Sequence, residues 1–319
     1  MKTILITGVN GFVGQNLINH FRKNNWKIIA IDKLKNPFKP FSNELDYITA
    51  DIINKDVINN ILSNYSQINL VIHTAGISDH FPNTPWNEYL KINVCGSKNI
   101  AQLSSHYNIK YFVYLSSASV YGREYKNVIE NDNLYGYDFY SQSKILAEKE
   151  ILNSNSNSII LRPSPFYGFG DPKNTVYKLF HYMSKTHISP KMHGTTKSLC
   201  YIENLIDFLE LLINNNKCFG EIYNVADAEP YDLSYITSII SSYLNTFMIP
   251  IKIPKFLSDK IRNLINRKYS DTFLGRSLGS MLNNTSLNID KAKNSLQYYP
   301  KFDLKSGLEK CNEWYSYKI

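Results

Sequence analysis

A tyrosine and a lysine stand four residues apart in the stretch YSQSK, at positions Tyr140 and Lys144. In a helix these two side chains would share one face, because residues i and i+4 are neighbours on a helix surface. A free tyrosine has a pKa of about 10 and is almost wholly protonated at neutral pH, whereas a neighbouring ammonium favours the phenolate. If the helix lines a cleft, the pair can move a proton to or from a hydroxyl or a carbonyl.

Three serines give that pair a partner. In YLSSASVYG, Ser116, Ser117 and Ser119 follow an apolar run that is typical of a buried strand. Open α/β sheets bind their ligands beyond the carboxyl ends of the strands, where a serine hydroxyl can hydrogen-bond the oxygen whose proton Tyr140 moves. Spacing alone would favour an accidental surface pair, so the candidate acid/base site depends on these serines.

The stretch TGVNGFVG carries Gly8, Gly11 and Gly14 at three-residue spacing, after an apolar run at 3–7 and before a helical pattern at 12–24. One glycine permits a tight turn, one lets the backbone approach a pyrophosphate, and one lets the helix pack closely on the strand. The amide groups at the helix start would then face the diphosphate. Because a strand precedes the motif and a helix follows it, we predict a dinucleotide-binding turn rather than three unrelated turn glycines.

Asp32 ends the second strand pattern, 18 residues after Gly14. A carboxylate there accepts hydrogen bonds from the adenosine ribose and repels a 2′-phosphate, which favours NAD over NADP. Lys33 and Lys35 follow directly and would tolerate a phosphate, so NADP stays the alternative cofactor. Asp51 ends the third strand pattern, where it either reaches the adenine edge or caps the next helix.

The first half of the chain alternates short apolar runs with helix-like patterns. The apolar runs, which we predict as strands, span 3–7, 27–32, 46–51, 69–75, 111–117 and 158–164. The helical patterns span 12–24, 55–65, 86–108 and 139–152. Nearly continuous apolar runs are typical of strands buried on both faces of a parallel sheet, and their alternation with helices is typical of doubly wound folds. We therefore predict an α/β fold, a Rossmann-type doubly wound parallel sheet with a smaller C-terminal substrate lobe.

Prolines and glycines crowd the chain just after residue 165, where we place a hinge. Residues 1–165 form the predicted NAD-binding domain, and a helix and a strand at about 198–227 return to its sheet. Residues 166–197 and 228–319 form the predicted substrate-binding lobe.

The composition excludes several classes of protein. The net charge of +8 is spread along the chain except at 252–268, where basic residues punctuate an apolar helical pattern as on a solvated helix face, so no nucleic-acid-binding face is indicated. The four cysteines and seven histidines show no metal-ligand spacing, and we expect no metal site and reduced thiols. No apolar run reaches about 18 residues, and the N-terminal run is too short for a signal peptide. We expect a cytoplasmic protein that does not insert into membranes.

The order of these motifs resembles the extended short-chain dehydrogenase/reductase family, and more narrowly its nucleotide-sugar epimerase/dehydratase/reductase branch. It runs TGxxGFxG, strand-end aspartate, NVCG, SSASVYG, YSQSK and LRPSPFYG across nearly the whole chain. The resemblance implies that Tyr140 is the acid/base, that Lys144 holds the cofactor ribose and lowers the tyrosine pKa, and that Ser117 polarises the reacting oxygen. Ser117 is chosen over its neighbours because it stands four residues before the tyrosine of VYG. The cofactor site that the resemblance implies comprises Gly8, Asn10, Gly11, Phe12, Val13, Gly14, Asp32, Asp51, Ile52, Thr74, Ala75, Gly76, Asn93, Ser116, Tyr140, Lys144 and Pro163.

Two positions distinguish among the activities of this family. Its 4,6-dehydratases carry an Asp-Glu pair after the serine, where this chain has Ala118 and Ser119, and neither side chain can act as an acid or a base at neutral pH. With dehydration disfavoured, the resemblance implies hydride transfer at a single sugar carbon, usually carbon 4. The stretch after residue 253 is similar to the tail of 4-keto-sugar reductases, whereas Asp32 suits a 4-epimerase that retains NAD. We prefer the reductase and keep the epimerase as the alternative.

The resemblance further implies a nucleoside-diphosphate sugar as substrate and a homodimer through the helices at 86–108 and 139–152. Lys197 stands where many relatives have an arginine facing the diphosphate, and a lysine can serve there as a point charge. Arg276 is a second candidate, and for both residues a plain surface position is the alternative. The other predicted substrate contacts are Ser78, Ser117, Ala118, Ser119 and Asn174.

A non-catalytic, NAD-sensing regulatory protein on the same fold is the competing interpretation. Such a protein has no need of Ser117, Tyr140 and Lys144 together, so their joint presence favours an enzyme. We therefore predict an NAD(P)-dependent reductase or epimerase rather than a sensor.

Overall fold

The computed structural model describes residues 1–35, 45–65, 67–78, 84–170, 174–192, 194–213, 215–244, 246–268 and 282–317. The strands, in chain order, are β1 (Thr3–Thr7), β2 (Lys27–Asp32), β3 (Leu45–Thr49), β4 (Leu70–His73), β5 (Tyr111–Leu115), β6 (Tyr125–Val128), β7 (Ser158–Pro163), β8 (Phe166–Tyr167), β9 (Ile188–Lys191), β10 (Thr196–Lys197), β11 (Cys200–Tyr201), β12 (Ile222–Val225), β13 (Tyr231–Asp232), β14 (Ile249–Lys252) and β15 (Thr285–Leu287). The helices are α1 (Phe12–Lys23), α2 (Lys55–Ser63), α3 (Trp86–Tyr89), α4 (Ser97–His106), α5 (Phe139–Ser154), α6 (Thr175–Thr186), α7 (Ile202–Ile213), α8 (Leu233–Tyr243), α9 (Lys255–Lys268), α10 (Asp290–Leu296) and α11 (Leu304–Tyr317). A π-helical turn, Leu90–Gly96, joins α3 to α4.

A sheet of seven strands, in the order β12-β7-β5-β4-β1-β2-β3, is the main element of the fold. The pairings from β7 to β3 are parallel. Strands β1, β4 and β7 are buried along their whole length, as expected where helices cover both faces of a sheet. The strand order reverses between β1 and β4, the place where doubly wound sheets bind ligands. The predicted Rossmann-type α/β fold is confirmed, and so is the return of the strand at 222–225 to the main sheet.

The chain divides into two compact units. The first comprises Met1–Val120, Leu134–Arg162 and Leu209–Tyr223, and it holds nearly all of the seven-stranded sheet. The second comprises Tyr121–Asn133, Pro163–Phe208 and Asn224–Ile319. The assignment of the cofactor to one domain and of the substrate to the other stays a prediction.

The second unit contains a four-stranded sheet, in the order β13-β10-β15-β6, and is organised around a buried carboxylate. Oδ1 of Asp227 accepts hydrogen bonds from the backbone of Tyr201 at 2.8 Å and from Nδ2 of Asn204 at 2.7 Å. Oδ2 accepts from the hydroxyls of Tyr167 at 2.9 Å and Tyr231 at 3.1 Å. Burial raises the pKa of Asp227 to about 6, against the lowering effect of these four donors. The carboxylate thus joins β8, β11, α7 and β13.

Candidate active site

The turn from β1 into α1 has no room for a side chain at two of its glycines. Gly8 has a φ of +71°, and a Cβ on it would lie 2.7 Å from the Cα of Ala75. A Cβ on Gly14 would lie 2.5 Å from the carbonyl oxygen of Gly8, so the close packing of α1 on β1 requires glycine. The N-cap of α1 is Gly11, which makes no side-chain hydrogen bond to the first turn. That turn contains two residues of the predicted cofactor site, Phe12 and Val13.

Asp32 lies at the end of β2 with both carboxylate oxygens hydrogen-bonded to backbone amides. Oδ2 accepts from Asn10 at 3.0 Å, and Oδ1 accepts from Leu34 at 3.1 Å. The glycine turn and the strand-end carboxylate therefore lie side by side. This set of groups fits NAD, because the uncapped helix start suits a diphosphate and the carboxylate suits a ribose.

The loop after β4 packs on the glycine turn. Oγ1 of Thr74 donates to the carbonyl of Thr7 at 2.7 Å, and the amide of Ala75 donates to Oγ1 of Thr7 at 3.3 Å. A Cβ on Gly76 would lie 3.0 Å from Oδ1 of Asn93. Three predicted cofactor residues thus have the glycine turn on one side and Asn93 on the other.

Asn93 is fully buried in the π-helical turn and joins two parts of the site. Its Nδ2 donates to the carbonyl of Ile77 at 3.0 Å and to Oγ of Ser143 at 2.9 Å, while its Oδ1 accepts from the amide of Ile77 at 2.7 Å. Oγ of Ser143 donates in turn to the carbonyl of Tyr140 at 2.7 Å. The loop after β4 is therefore tied to the first turn of α5, which carries the predicted acid/base. Single π-helical turns inside helices often occur at functional sites.

The alternative role proposed for Asp51, as the cap of the next helix, is wrong. The N-cap of α2 is Asn54, whose side chain accepts from the amide of Val57 at 3.2 Å. Asp51 instead accepts from the amide of Ile53 at 3.1 Å, within its own turn. Ile52, also assigned to the cofactor site, is buried.

Tyr140 and Lys144 share one face of α5, as their spacing predicts. The helix starts with a capping box between Asp138 and Ser141, so Tyr140 lies in the first turn, where the helix dipole favours an anion. Nζ of Lys144 lies 5.9 Å from the centre of the Tyr140 ring and donates to the carbonyl of Leu115 at 2.8 Å. The ammonium is thereby held at the last residue of β5, where the serine-rich segment begins.

The serines that follow β5 differ in what their hydroxyls contact. Oγ of Ser117 accepts from the amide of Ser119 at 3.2 Å, and Ala118 between them is buried. Oγ of Ser119 is buried and has no hydrogen-bond partner within the described part of the chain, which supports its predicted contact with a polar ligand. Oγ of Ser116 donates to Oε1 of Glu148 at 2.5 Å and its amide donates to the carbonyl of Leu161 at 2.8 Å, so its oxygens could only accept in the predicted cofactor contact.

A buried ion pair on the next turn of α5 was missed by the sequence analysis. The guanidinium of Arg162 donates to Oε2 of Glu148 at 2.7 Å and to Oε1 at 3.1 Å, and the two side chains are only 3% and 4% exposed. Glu148 stands four residues after Lys144, so the same i to i+4 spacing predicts that Glu148 shares the helix face of Tyr140 and Lys144. Burial lowers the pKa of Lys144 to about 8, and the Glu148 carboxylate acts in the opposite direction.

His73 is a second buried group that the sequence analysis missed, because it stands inside an apolar run. Its Nδ1 lies 2.6 Å from Oγ1 of Thr7 and its Nε2 lies 2.8 Å from Oγ of Ser97. Burial, together with the smaller effect of the Lys144 charge, lowers the pKa of His73 to about 3, so the imidazole is neutral. It links β1, β4 and α4 beside the glycine turn without adding a charge.

Two predicted substrate residues lie in the second unit. Asn174 is the N-cap of α6, and its Oδ1 accepts from the amide of Tyr177 at 2.7 Å. Lys197 is buried, so the surface alternative is wrong for this residue; its ammonium donates to the carbonyl of Asn283, and burial lowers its pKa to about 7. Arg276 lies outside the described residues. Pro163, a predicted cofactor contact, is the last residue of β7, and Ser78, a predicted substrate contact, lies in the loop after β4.

The buried charge of Lys144 predicts a pH-dependent stability. Because the pKa is lowered from 10.5 to about 8, the unfolded chain binds a proton between these values that the folded chain does not, so this group makes stability rise with pH there. Relative to Lys144→Met, the wild type should gain about 2 kcal/mol in the free energy of unfolding between pH 7 and pH 10. Urea denaturation at the two pH values measures this difference. The same substitution at the exposed Lys149 is the control, and an equal change in both variants would contradict the prediction.

Among the described residues, no helix is both long and apolar enough to cross a bilayer. The same residues contain no group of three His, Cys, Asp or Glu side chains placed to hold a metal ion. The four cysteines are free thiols, and only Cys95 is exposed.

The chain is similar to known proteins in both sequence and fold. A family model described as the NAD dependent epimerase/dehydratase family matches residues 4–226. A 3-beta-hydroxysteroid dehydrogenase of Mycolicibacterium neoaurum is 25% identical, over 98% of this chain and 91% of its own. An N-acetyl-alpha-D-glucosaminyl-diphospho-ditrans,octacis-undecaprenol 4-epimerase of Escherichia coli O157:H7 is 25% identical, over 79% of this chain and 75% of its own. The crystal structure of the Bordetella bronchiseptica enzyme WbmG in complex with NAD and UDP matches with a TM-score of 0.79 at 18% identity, over 98% of this chain and 94% of that one, which shows a shared fold.

Proposed function

The chain belongs to the NAD dependent epimerase/dehydratase family, and from that premise we propose that it transfers hydride at carbon 4 of a nucleoside-diphosphate sugar. One observation carries the proposal: the face of α5 that presents Tyr140 and Lys144 is held at the strand end that leads into Ser117. NAD is the cofactor of this family. The glycine turn and Asp32 would hold its diphosphate and its adenosine ribose.

Tyr140 moves the proton of the reaction. Its phenolate takes the proton of the sugar hydroxyl as the bond between carbon and hydrogen breaks, and in the reverse direction it returns that proton to the carbonyl oxygen. Lys144 favours the phenolate through its charge, and Ser117 donates to the same sugar oxygen and fixes its position. NAD, when bound, accepts the hydride and can return it.

Ala118 and Ser119 limit the chemistry to this hydride step. Loss of water from a sugar requires a group that protonates the leaving hydroxyl and a base that removes the neighbouring proton, and neither residue can act in these ways at neutral pH. The buried Oγ of Ser119, which has no hydrogen-bond partner among the described residues, instead supports a hydrogen bond with a sugar hydroxyl.

Two uses of the hydride step are supported by different observations. A 4-epimerase returns the hydride to the opposite face of the same carbon and keeps its NAD. Asp32 suits this use, and the Escherichia coli relative is named a 4-epimerase of an undecaprenol-linked sugar diphosphate. A 4-keto-sugar reductase consumes its cofactor in each turnover, and the resemblance of the C-terminal stretch supports this use. We place the epimerase first because it has support from a named relative as well as from Asp32. A hydroxysteroid is the competing substrate class, favoured by the Mycolicibacterium relative.

The cofactor content of the purified protein tests this order. The protein is purified without added nucleotide and denatured, and the released molecules are identified by chromatography and absorbance. Nearly stoichiometric NAD supports the epimerase, whereas an empty site that exchanges freely with NADH supports the reductase. Conversion is then followed with UDP-sugars and with a 3β-hydroxysteroid, and oxidation of the steroid alone would overturn the sugar proposal.

The homodimer through the helices predicted at 86–108 and 139–152 stays a prediction. Phe139 and Leu146 are exposed apolar side chains of α5, 49% and 38% exposed, which supports a contact of this helix with a second copy. Sedimentation of the wild type and of Leu146→Glu measures the oligomeric state. A monomeric wild type would contradict the prediction.

A further inference from the structure

Asp32 and three neighbouring residues form a closed ring of hydrogen bonds in the first unit. The carboxylate accepts from the backbone amides of Asn10 and Leu34, as described above. Tyr47, in the middle of β3, closes the ring, because its hydroxyl accepts from Nδ2 of Asn10 at 2.9 Å and donates to the carbonyl of Leu34 at 2.7 Å. The two residues that hold the carboxylate are thus joined to each other through one phenol.

The register of the sheet explains why a residue of β3 reaches this position. Tyr47 pairs with Ala30 of β2, two residues before Asp32, so its side chain lies next to the strand end that carries the carboxylate. Burial raises the pKa of Tyr47 and the charge of Asp32 raises it further, against the lowering effect of the hydrogen bond from Asn10. The phenol therefore stays protonated and keeps its bond to the carbonyl of Leu34.

Without this hydroxyl, Asn10 and Leu34 would lose the two hydrogen bonds that join them to Tyr47 of β3. Among the described residues, the carbonyl of Leu34 would then keep a long contact from Oγ1 of Thr49, at 3.5 Å. Lys33 and Lys35 flank Leu34 and are exposed. If the segment 33–35 is no longer held by Tyr47, the two ammonium groups can approach the ribose and offset the negative charge of the Asp32 carboxylate. A 2′-phosphate would then pair with them.

We propose that Tyr47 is a specificity-determining residue of the cofactor site, which makes this chain select NAD over NADP. By joining Asn10 to Leu34, it holds the Asp32 carboxylate at the ribose. There the carboxylate accepts a hydrogen bond from the 2′-hydroxyl of NAD and repels the 2′-phosphate of NADP. The inference rests on the cofactor part of the proposed function and is independent of the sugar. It also explains how the Asp32 carboxylate can set a preference for NAD although Lys33 and Lys35 lie close to it in the chain.

The test is a competition for the cofactor site, read without any turnover. The full chain is incubated with equimolar NAD and NADP in excess, free nucleotide is removed, the protein is denatured, and both released nucleotides are measured by chromatography. In Tyr47→Phe the ratio of bound NAD to bound NADP should fall at least tenfold, equivalent to about 1.4 kcal/mol of preference. Asp32→Ala should lower the ratio at least as far.

A neighbouring tyrosine supplies the matched control. The hydroxyl of Tyr65 donates to Oδ2 of Asp46 at 3.2 Å, outside the ring, so Tyr65→Phe also removes a hydrogen bond donated by a phenol and should leave the ratio unchanged. Adding Lys33→Ala to Tyr47→Phe should restore part of the preference for NAD. If Tyr47→Phe melts like the wild type and keeps its ratio of bound NAD to bound NADP, the proposal is overturned. An equal loss of affinity for both nucleotides would also overturn it, because the hydroxyl would then have only a structural role. Failure of the sugar assay would leave this readout untouched.

Discussion

Tyr140→Phe is expected to lower turnover at least a hundredfold while NAD binding stays nearly unchanged. Acid/base catalysis by a positioned side chain is usually worth about 10²- to 10⁴-fold, and phenylalanine removes the oxygen that carries the proton without changing the shape of the ring. The helix start is kept, because the capping box between Asp138 and Ser141 does not involve the phenol. Turnover is measured with the substrate that the wild type converts in the assay proposed above, and NAD binding by calorimetry.

Tyr137 provides the control for this experiment. It stands three residues before Tyr140, ahead of the helix, and is 39% exposed, so Tyr137→Phe should keep full turnover. Near-normal turnover in Tyr140→Phe would refute the assignment of the acid/base. Equal losses in both variants would mean that the segment before α5 matters for folding or substrate access rather than for proton transfer.

Arg162→Met is expected to lower the free energy of unfolding by about 3–5 kcal/mol. Removing one partner of a buried ion pair leaves the other charge without compensation in a medium of low dielectric constant. Here that charge is the Glu148 carboxylate. It would keep the hydrogen bond from Ser116 but would have no cation at bonding distance among the described residues. Urea denaturation of the wild type and of the variant at pH 7 measures the difference.

The double variant Glu148→Met/Arg162→Met separates loss of charge balance from loss of packing. Since buried ion pairs can often be replaced by apolar residues of similar volume at little cost, the double variant should be more stable than Arg162→Met alone. The control is Lys98→Met, which breaks the 2.8 Å pair with Glu150 on the solvent side of the same helix and should leave the denaturation midpoint nearly unchanged. A double variant as unstable as the single one would show that packing, not charge, dominates.

Several features of this protein could be predicted from short stretches of its sequence. The pair at Tyr140 and Lys144 depends only on the i to i+4 geometry of a helix, and the strands depend only on their apolar runs. The glycine turn depends on a local backbone conformation that the motif itself specifies, as the φ of Gly8 shows. In each case the physical cause lies within one element or one turn.

Predictions that depended on neighbouring elements were less successful. One helix was predicted for 86–108, whereas the structure has two α-helical pieces separated by the π-helical turn that holds Asn93, a change that apolar periodicity does not reveal. Asp51 was considered as a helix cap although Asn54 takes that place, since helix starts are uncertain by a few residues without coordinates. Lys197 was allowed a surface position because its burial depends on the packing of β10 within the second unit.

By itself, the sequence determined the parallel sheet, the glycine turn and the spacing of the acid/base pair, because backbone geometry and hydrophobic burial express these within a few residues. The tertiary structure decided which charges and phenols surround that pair and the cofactor site. Arg162 meets Glu148 because β7 packs beside α5, and Tyr47 meets Asn10 because β3 pairs with β2 in one register. Contacts between residues that are distant in the chain follow from strand order, register and helix packing, and no local pattern encodes these.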